Sequence, residues 1–398
     1  MRKLLILFLL AGLLPALGYT WLRASGNIAP GGLPPLLNAA TGYSGGSVAG
    51  KGGVAPLQAP PGFEVTVYAE ALPGARMLLA GVNGDLLLSR PAKGDVILLA
   101  PDRDGDGRAD GRRVLLQQLD QPQGLAFLGG WLYVAEQGQV GRIGYDHANG
   151  TTRGAYQVVI PDLPRGGNHW RKTLRAGPDA ALYLAIGSSC NVCAESDPRR
   201  ATLMRFAADG SAGEVIASGL RNAVDFDWSP FNGKLYATDN GRDLLGDDFP
   251  PCELNLIEPG RFYGWPYFNG DNLQDPDMGP DPYAGAREPT PPVHGFRAHN
   301  APLGLRFIDA SHWPQEYRRT AIAALHGSWN RSELDGYKLV SLHFGEQRIE
   351  ERDFLTGFLT DDGVIGRPVA LAQGPGGALF VSDDYAGVIY RVTPPAMR

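Results

Sequence analysis

The chain has 398 residues, 43% of them hydrophobic and 20% charged, enough to bury a large core in one all-β domain or in two ordinary ones. A formal charge of -6, with the 36 Lys and Arg dispersed, supplies no basic field for a polyanion and argues against nucleic acid as a partner. Gly 54 and Pro 32 lie scattered among apolar runs without a short period, which excludes collagen and low complexity and points to a turn-rich β protein.

Arg2 and Lys3 precede an almost unbroken apolar run, Leu4 to Leu22, built like the charged and hydrophobic regions of a secretory signal. Residues 1–22 therefore have two readings: a signal cleaved near Ala16-Leu17-Gly18, or an uncleaved anchor, since the run is nearly long enough to span a bilayer. Either sends the chain to the periplasm or the cell exterior, and the second leaves it tethered to the inner membrane. Residues 23–60 carry only Arg23 and Lys51 as charges among Gly, Pro, Ala and Ser, a composition that buries too little apolar surface to order itself and reads as a flexible tether.

From 61 to 398 one phrase recurs at roughly forty-residue spacing, a Gly turn followed by a Leu-Tyr-Val strand. It stands at Gly84 to Leu88, Gly130 to Val134, Ala180 to Leu184, Gly233 to Ala237 and Gly377 to Val381, and Ala321 to Leu325 supplies the blade between the last two. No long amphipathic helical pattern intervenes. The expected fold is an all-β, six-bladed propeller of four-stranded antiparallel blades, in which loops at one end of the central channel converge. A β-sandwich pair needs no repeat at this period.

Several loops carry residue types with chemistry. Asp102, Asp104, Asp106 and Asp110 surround Gly105 and Gly107 like the first half of an EF-hand loop, but Arg113 stands where a bidentate Glu belongs. Calcium here competes with a solvated acidic turn, structural in either case. Gly166-Gly167-Asn168-His169 puts an imidazole on a glycine-rich loop, as a general base or as a loop histidine bonded to a carbonyl. Cys190-Asn191-Val192-Cys193 has no His after it and no second pair, so haem attachment and zinc are set aside and a short-loop disulfide is expected in an oxidising compartment; Cys252 is left over. Arg221-Asn222 offers a donor fork and an amide, Asp239-Asn240-Gly241-Arg242 a tight turn able to present carbonyls to a cation, and Arg331 and Arg367 are further glycine-flanked guanidiniums. Three arginines converging would clamp a polyanionic small molecule; each alone is an ordinary surface charge.

Taken together, Gly167 to His169, Leu220 to Asn222, Asp239 to Asp243, Glu253 to Asn255, Tyr263 to Pro266 and His326 to Lys338 give the chain a resemblance, from about Pro61 to Pro395, to the soluble quinoprotein sugar dehydrogenases, most closely their L-sorbosone dehydrogenase branch. The resemblance implies a six-bladed propeller using pyrroloquinoline quinone (PQQ) and calcium, acting on a sugar or sugar-derived aldehyde and passing electrons to an external acceptor, a cytochrome or a membrane quinone chain. It further implies His169 as base helped by Asn168, Arg221 and Asn222 on the quinone, Arg331 and Arg367 on its carboxylates, and the carbonyls of Gly241 and Arg242 around the calcium. Cys252 replaces an acidic residue frequent in the family, Gln123 stands where the branch tends to have His, and Val364 and Ile365 fill the place of an arginine used by the glucose-oxidising branch. Two other classes compete: a calcium-dependent lactonase on a related propeller, and a non-catalytic exported binding propeller. The arginine set argues against the first, because a lactone needs no polyanion clamp.

Overall fold

The recurring phrases become the second strands of six four-stranded antiparallel sheets arranged as propeller blades in the computed structural model, which describes residues 56–396. These second strands are Leu86–Arg90, Trp131–Ala135, Leu182–Ile186, Leu235–Asp239, Thr320–Leu325 and Leu379–Asp383. Inside each runs the blade's first strand, and the six first strands, Leu78–Ala80, Leu125–Leu128, Lys172–Ala176, Ala223–Trp228, Pro302–Phe307 and Pro368–Gln373, pack around the channel.

Strand periodicity explains why the phrases read as unbroken apolar runs. Side chains alternate between faces, and a blade has a neighbour on each face. Within Thr320–Leu325, Ile322 and Ala324 join the buried cluster shared with the sixth blade, whereas Ala321, Ala323 and Leu325 join the cluster shared with the fourth. Each of the six buried clusters fills one gap between adjacent blades. At about 1.5–3 kcal/mol for each large apolar side chain buried, these six interfaces hold the ring.

The ring is closed by its earliest strand. Glu64–Ala69 forms the outer edge of the sixth blade, pairing antiparallel with Val388–Thr393 from Glu64 opposite Thr393 to Val67 opposite Tyr390. Residues 56–60, assigned to the tether from composition, already pack on the fold: Gln58 and Thr356 exchange backbone hydrogen bonds of 3.0 Å, and Leu57 and Ala59 lie against the cluster between the fifth and sixth blades. The leader expected over 1–22 and the rest of the tether lie outside the described residues. Among the described residues no helix is long and apolar enough to cross a membrane.

The fourth blade departs from the repeat. Between its third strand, Cys252–Ile257, and its outer strand, His294–Phe296, residues 258–293 make an excursion with a small hairpin, Phe268–Asn269 against Leu273–Gln274. Its first residues, Arg261–Phe262, run parallel to Glu214–Ser218 and add a fifth strand to the third blade.

Candidate functional site

Antiparallel pairing puts the loop entering each first strand and the loop leaving each second strand at the same end of a blade. At that end these loops enclose a cavity of about 210 Å³. Arg76, Gln123, Arg171, Asn222 and Ala301 stand one or two residues ahead of five first strands and line it; Asn240, Gly241, His326 and Trp329 follow two second strands and line it too.

His169 and Asn168 are on this wall. Gly167 makes the approach possible: it has φ +81°, and a Cβ there would lie 2.6 Å from the Ser189 Cα. The loop is laid onto residues 188 and 189, with Asn168 N–H donating to the Ser189 carbonyl at 2.8 Å and His169 N–H to that of Ser188 at 3.2 Å. Imidazole Nδ1 lies 2.8 Å from the Ser188 hydroxyl. Burial, then the charge of Arg221, hold the imidazole well below its ordinary pKa, so His169 is neutral.

Arg221 also reaches the wall, but all five of its N–H donors are engaged. Nε bonds the Asn191 carbonyl at 2.9 Å; Nη1 bonds the carbonyls of Asn240 and Gly241 at 3.1 and 2.9 Å; Nη2 bonds Asn191 Oδ1 at 2.7 Å and Asp243 at 2.9 Å. It therefore pins the 240–243 turn and has no donor left to clamp an anion. Asn222 donates its backbone N–H to Asp239 at 2.6 Å.

The expected convergence of Arg221, Arg331 and Arg367 does not form. Arg331, 5% exposed, finds acceptors in its own loop neighbourhood, the carbonyls of Asp247 and Ala298 and the Asp248 carboxylate, and is absent from the wall. Arg367 pairs with Asp384 at 3.1 Å, lies over the Tyr385 ring and is likewise off the wall. Arg242 is bidentate to Asp275, 2.8 Å to each oxygen, and bonds Asp277; it borders a second, smaller void behind the turn.

In their place stand Arg171 and Arg76, which sequence reasoning passed over, together with His326, Gln123 and Asn240, which it named without this role. Arg171 stacks on Trp170 with its guanidinium carbon 4.4 Å from the ring centre, and among the described residues it has no hydrogen-bond or ion-pair partner. Burial and the charges of Arg76 and Arg367 push it down to about 9. Arg76 pairs with Asp384 at 2.7 Å through Nη1, leaving its buried Nε without an acceptor. His326 lies 3.1 Å from the same carboxylate, yet burial lowers it to about 4. Gln123 Oε1 and Asn240 Oδ1 are also buried without partners among the described residues. The available signal was positional, since Arg76, Gln123 and Arg171 each sit immediately ahead of a first strand, as Asn222 does.

Two places offer oxygen to a metal near the turn. On the wall are the Gly241 carbonyl, which keeps a lone pair beyond the one used by Arg221, and the unpartnered Asn240 Oδ1. Behind it, Asp239 and Glu253 face each other across the ladder, and burial raises their carboxyls to about 7 and about 8. The acidic loop is elsewhere: Asp102, Asp104 and Asp110 gather oxygens within 4.8 Å, Asp106 does not join them, and Asp102 already holds Arg391 at 2.7 Å. Cys190 and Cys193 form the expected disulfide, and Cys252 is buried on the cavity wall, its thiol pushed up to about 11.

The sequence profile of the TrAA12-like family matches residues 57–254 and 281–395, leaving unmatched between them the end of the fourth blade's third strand and part of its excursion. The chain belongs to the TrAA12-like family. The calcium structure of an AA12 carbohydrate-active enzyme from Trichoderma reesei has the same fold, with a TM-score of 0.74 and 22% identity over 85% of this chain and 97% of that one. The holo form of the pyranose dehydrogenase PQQ domain from Coprinopsis cinerea gives 0.73 and 20% over 86% and 98%. An uncharacterized protein of Borreliella burgdorferi is 36% identical over 220 residues, 53% of this chain and 56% of that protein. The TrAA12-like chain thus spans about half the length of the curated relatives it matches.

Proposed function

We propose that the chain is an exported oxidoreductase that binds PQQ and calcium in this cavity and oxidises a sugar or sugar-derived aldehyde, passing the electrons to a cytochrome or a membrane quinone chain. One observation carries the reading: a neutral imidazole shares a wall with three guanidiniums, of which Arg171 has no acidic partner among the described residues. Arg76, Arg171 and Arg221 face a single carboxylate there, Asp243, whose oxygens are already bonded to Arg221 and Asn330. Such a wall attracts an anion, and its orphaned Arg76 Nε, Arg171 Nε, Gln123 Oε1 and Asn240 Oδ1 fit a flat, polar, carboxylate-bearing group. A metal-activated hydrolase would want carboxylates where this wall has arginines. The fold shared with AA12 and with the pyranose dehydrogenase PQQ domain supports the same reading.

Arg171, with Arg76 beside it, would bind the cofactor's carboxylates through charge-assisted hydrogen bonds. The Gly241 carbonyl and Asn240 Oδ1 would hold the calcium, a hard cation that takes neutral oxygen ligands. When bound, the quinone would supply a two-electron hydride acceptor, its carbonyl polarised by the metal. His169 takes the substrate's hydroxyl proton, for which its neutrality is the requirement. Val224 and Leu303 give the cavity an apolar floor.

Purified protein titrated with PQQ in calcium, and again in chelator, tests the reading through cofactor absorbance followed by dye reduction on a panel of aldoses. Saturable binding in calcium with sugar-dependent reduction is expected. No binding in either buffer would return the chain to the non-catalytic class.

A further inference from the structure

The hydrogen bonds of Ser188 determine more than the position of a loop. Its side chain is fully buried, and it follows the second strand of the third blade by two residues. The hydroxyl donates to the Cys190 carbonyl at 2.8 Å, and a carbonyl can only accept. A serine has one hydroxyl proton, so the bond between Ser188 Oγ and His169 Nδ1, also 2.8 Å, must be donated by the imidazole. We infer that Ser188 is the positioning residue of the site: pinned by the Cys190 carbonyl, it holds His169 as the Nδ1–H tautomer and leaves Nε2 as the proton acceptor. The inference rests on the proposed role of His169 as base.

The surrounding structure fixes this short relay at every joint. Ser188 N–H donates to the Arg221 carbonyl at 2.8 Å, and its own carbonyl receives His169 N–H, so residue 188 holds the base by main chain and side chain together. Cys190 is the first residue of the loop closed by the Cys190–Cys193 disulfide. The next residue, Asn191, anchors that loop from the other side: it accepts from Arg221 Nε, Arg221 Nη2 and Asp243 N–H, and donates to the Asp243 carbonyl at 3.1 Å. One disulfide-closed loop thereby sets both the tautomer of the base and the turn that offers the Gly241 carbonyl. Gly187 belongs to the same arrangement, because a Cβ there would lie 2.5 Å from the His169 Cβ. The pair cannot be read as nucleophile and base: the Ser188 side chain is sealed from solvent and its proton is committed to a carbonyl.

The test reads the tautomer directly in cofactor-free protein. Histidine is labelled with 15N, the His169 resonances are identified by their loss in His169→Gln, and the long-range 1H–15N pattern reports which nitrogen carries the proton. In wild type, Nδ1 should be protonated and Nε2 bare. Ser188→Ala should give a mixture of the two tautomers, and Ser188→Thr, which keeps the hydroxyl, should restore the wild-type pattern; if the alanine variant does not fold, Ser188→Cys, a weak donor, takes its place. Cys190→Ser/Cys193→Ser, which leaves the carbonyl but opens its loop, should move the pattern in the same direction to a smaller extent. In loaded enzyme, Ser188→Ala should lower kcat about two- to tenfold, the worth of one hydrogen bond, shift the acid limb of the pH profile and leave PQQ affinity unchanged. A wild-type Nε2–H tautomer, or a Ser188→Ala spectrum and pH profile identical to wild type, would overturn the inference; an unchanged spectrum in the cysteine pair would remove the disulfide from it. Because the spectra need no cofactor or sugar, they decide the point even if no substrate is found.

Discussion

Arg171 and Arg175 stand four residues apart, just ahead of and within the first strand of the third blade, and they live in opposite electrostatic worlds. Arg175 is bidentate to the fully buried Asp225, at 2.9 and 2.8 Å, and that carboxylate raises its pKa. Arg171 has no carboxylate within bonding distance among the described residues, and burial, then neighbouring arginines, push its pKa down. An ion pair completed inside the protein is a structural device, whereas a half-buried cation crowded by other cations is held at a cost that a bound anion can offset. The same contrast separates Arg242, paired with Asp275 and Asp277, and Arg331, held by two carbonyls and Asp248, from Arg171.

The sharpest way to break the functional half of that contrast is the base beside it. His169→Gln should lower turnover by about 10²–10⁴-fold with the thermal midpoint nearly unchanged. Since His169 titrates below its ordinary 6.5, wild-type kcat/KM should hold as pH falls to 6.5 and drop only as it passes the lowered value; a limb centred above 6.5 would refute the neutral-base assignment.

Next in size is the structural arginine. Arg175→Ala strands Asp225 in the interior and should cost about 3–5 kcal/mol in denaturant unfolding, with PQQ affinity in the surviving folded protein close to wild type. Arg171→Ala should do the reverse. Cofactor affinity should fall by roughly 10- to 150-fold, the equivalent of one charge-assisted hydrogen bond, with little loss of stability, and Arg171→Lys should recover only part of it because an ammonium lacks the planar fork. Equal effects of the two substitutions on both measurements would erase the distinction.

Smallest of all is Arg331→Ala. Arg331 shares no bonding partner with Arg171, so PQQ affinity should change by no more than about twofold. A large loss in a cofactor titration would mean that the loop carrying Arg331 moves onto the cavity when it is filled.

The propeller was legible because its signal is local: each second strand, such as Gly377 to Val381, carries its Gly turn and its unbroken apolar run in a handful of consecutive residues. His169, Asn168 and the 239–243 turn were legible for the same reason. The pairing of the arginines was not. Arg221 looks like a free fork until Asn191, thirty positions away in a disulfide loop, is seen to consume its donors, and Arg171 looks ordinary until the other blades fail to supply it a carboxylate. Whether a guanidinium is satisfied is a property of the assembled ring, and a linear motif does not contain it. Ser188 was hidden likewise, since its role lies in the direction of one proton.

The seam of the ring passes through this site. Asp384, which holds Arg76 across 308 positions of sequence and also meets His326 and Arg367, sits beyond the second strand of the blade that Glu64–Ala69 completes. During synthesis, five blades can form before that carboxylate leaves the ribosome, but until then the cationic cluster repels itself and Glu64–Ala69 lacks its partner strand. On the proposed function, the cavity is consequently a receipt for completed assembly: a chain that has not closed its last blade lacks the hold of Asp384 on Arg76, and cofactor binding would be confined to molecules that have finished folding.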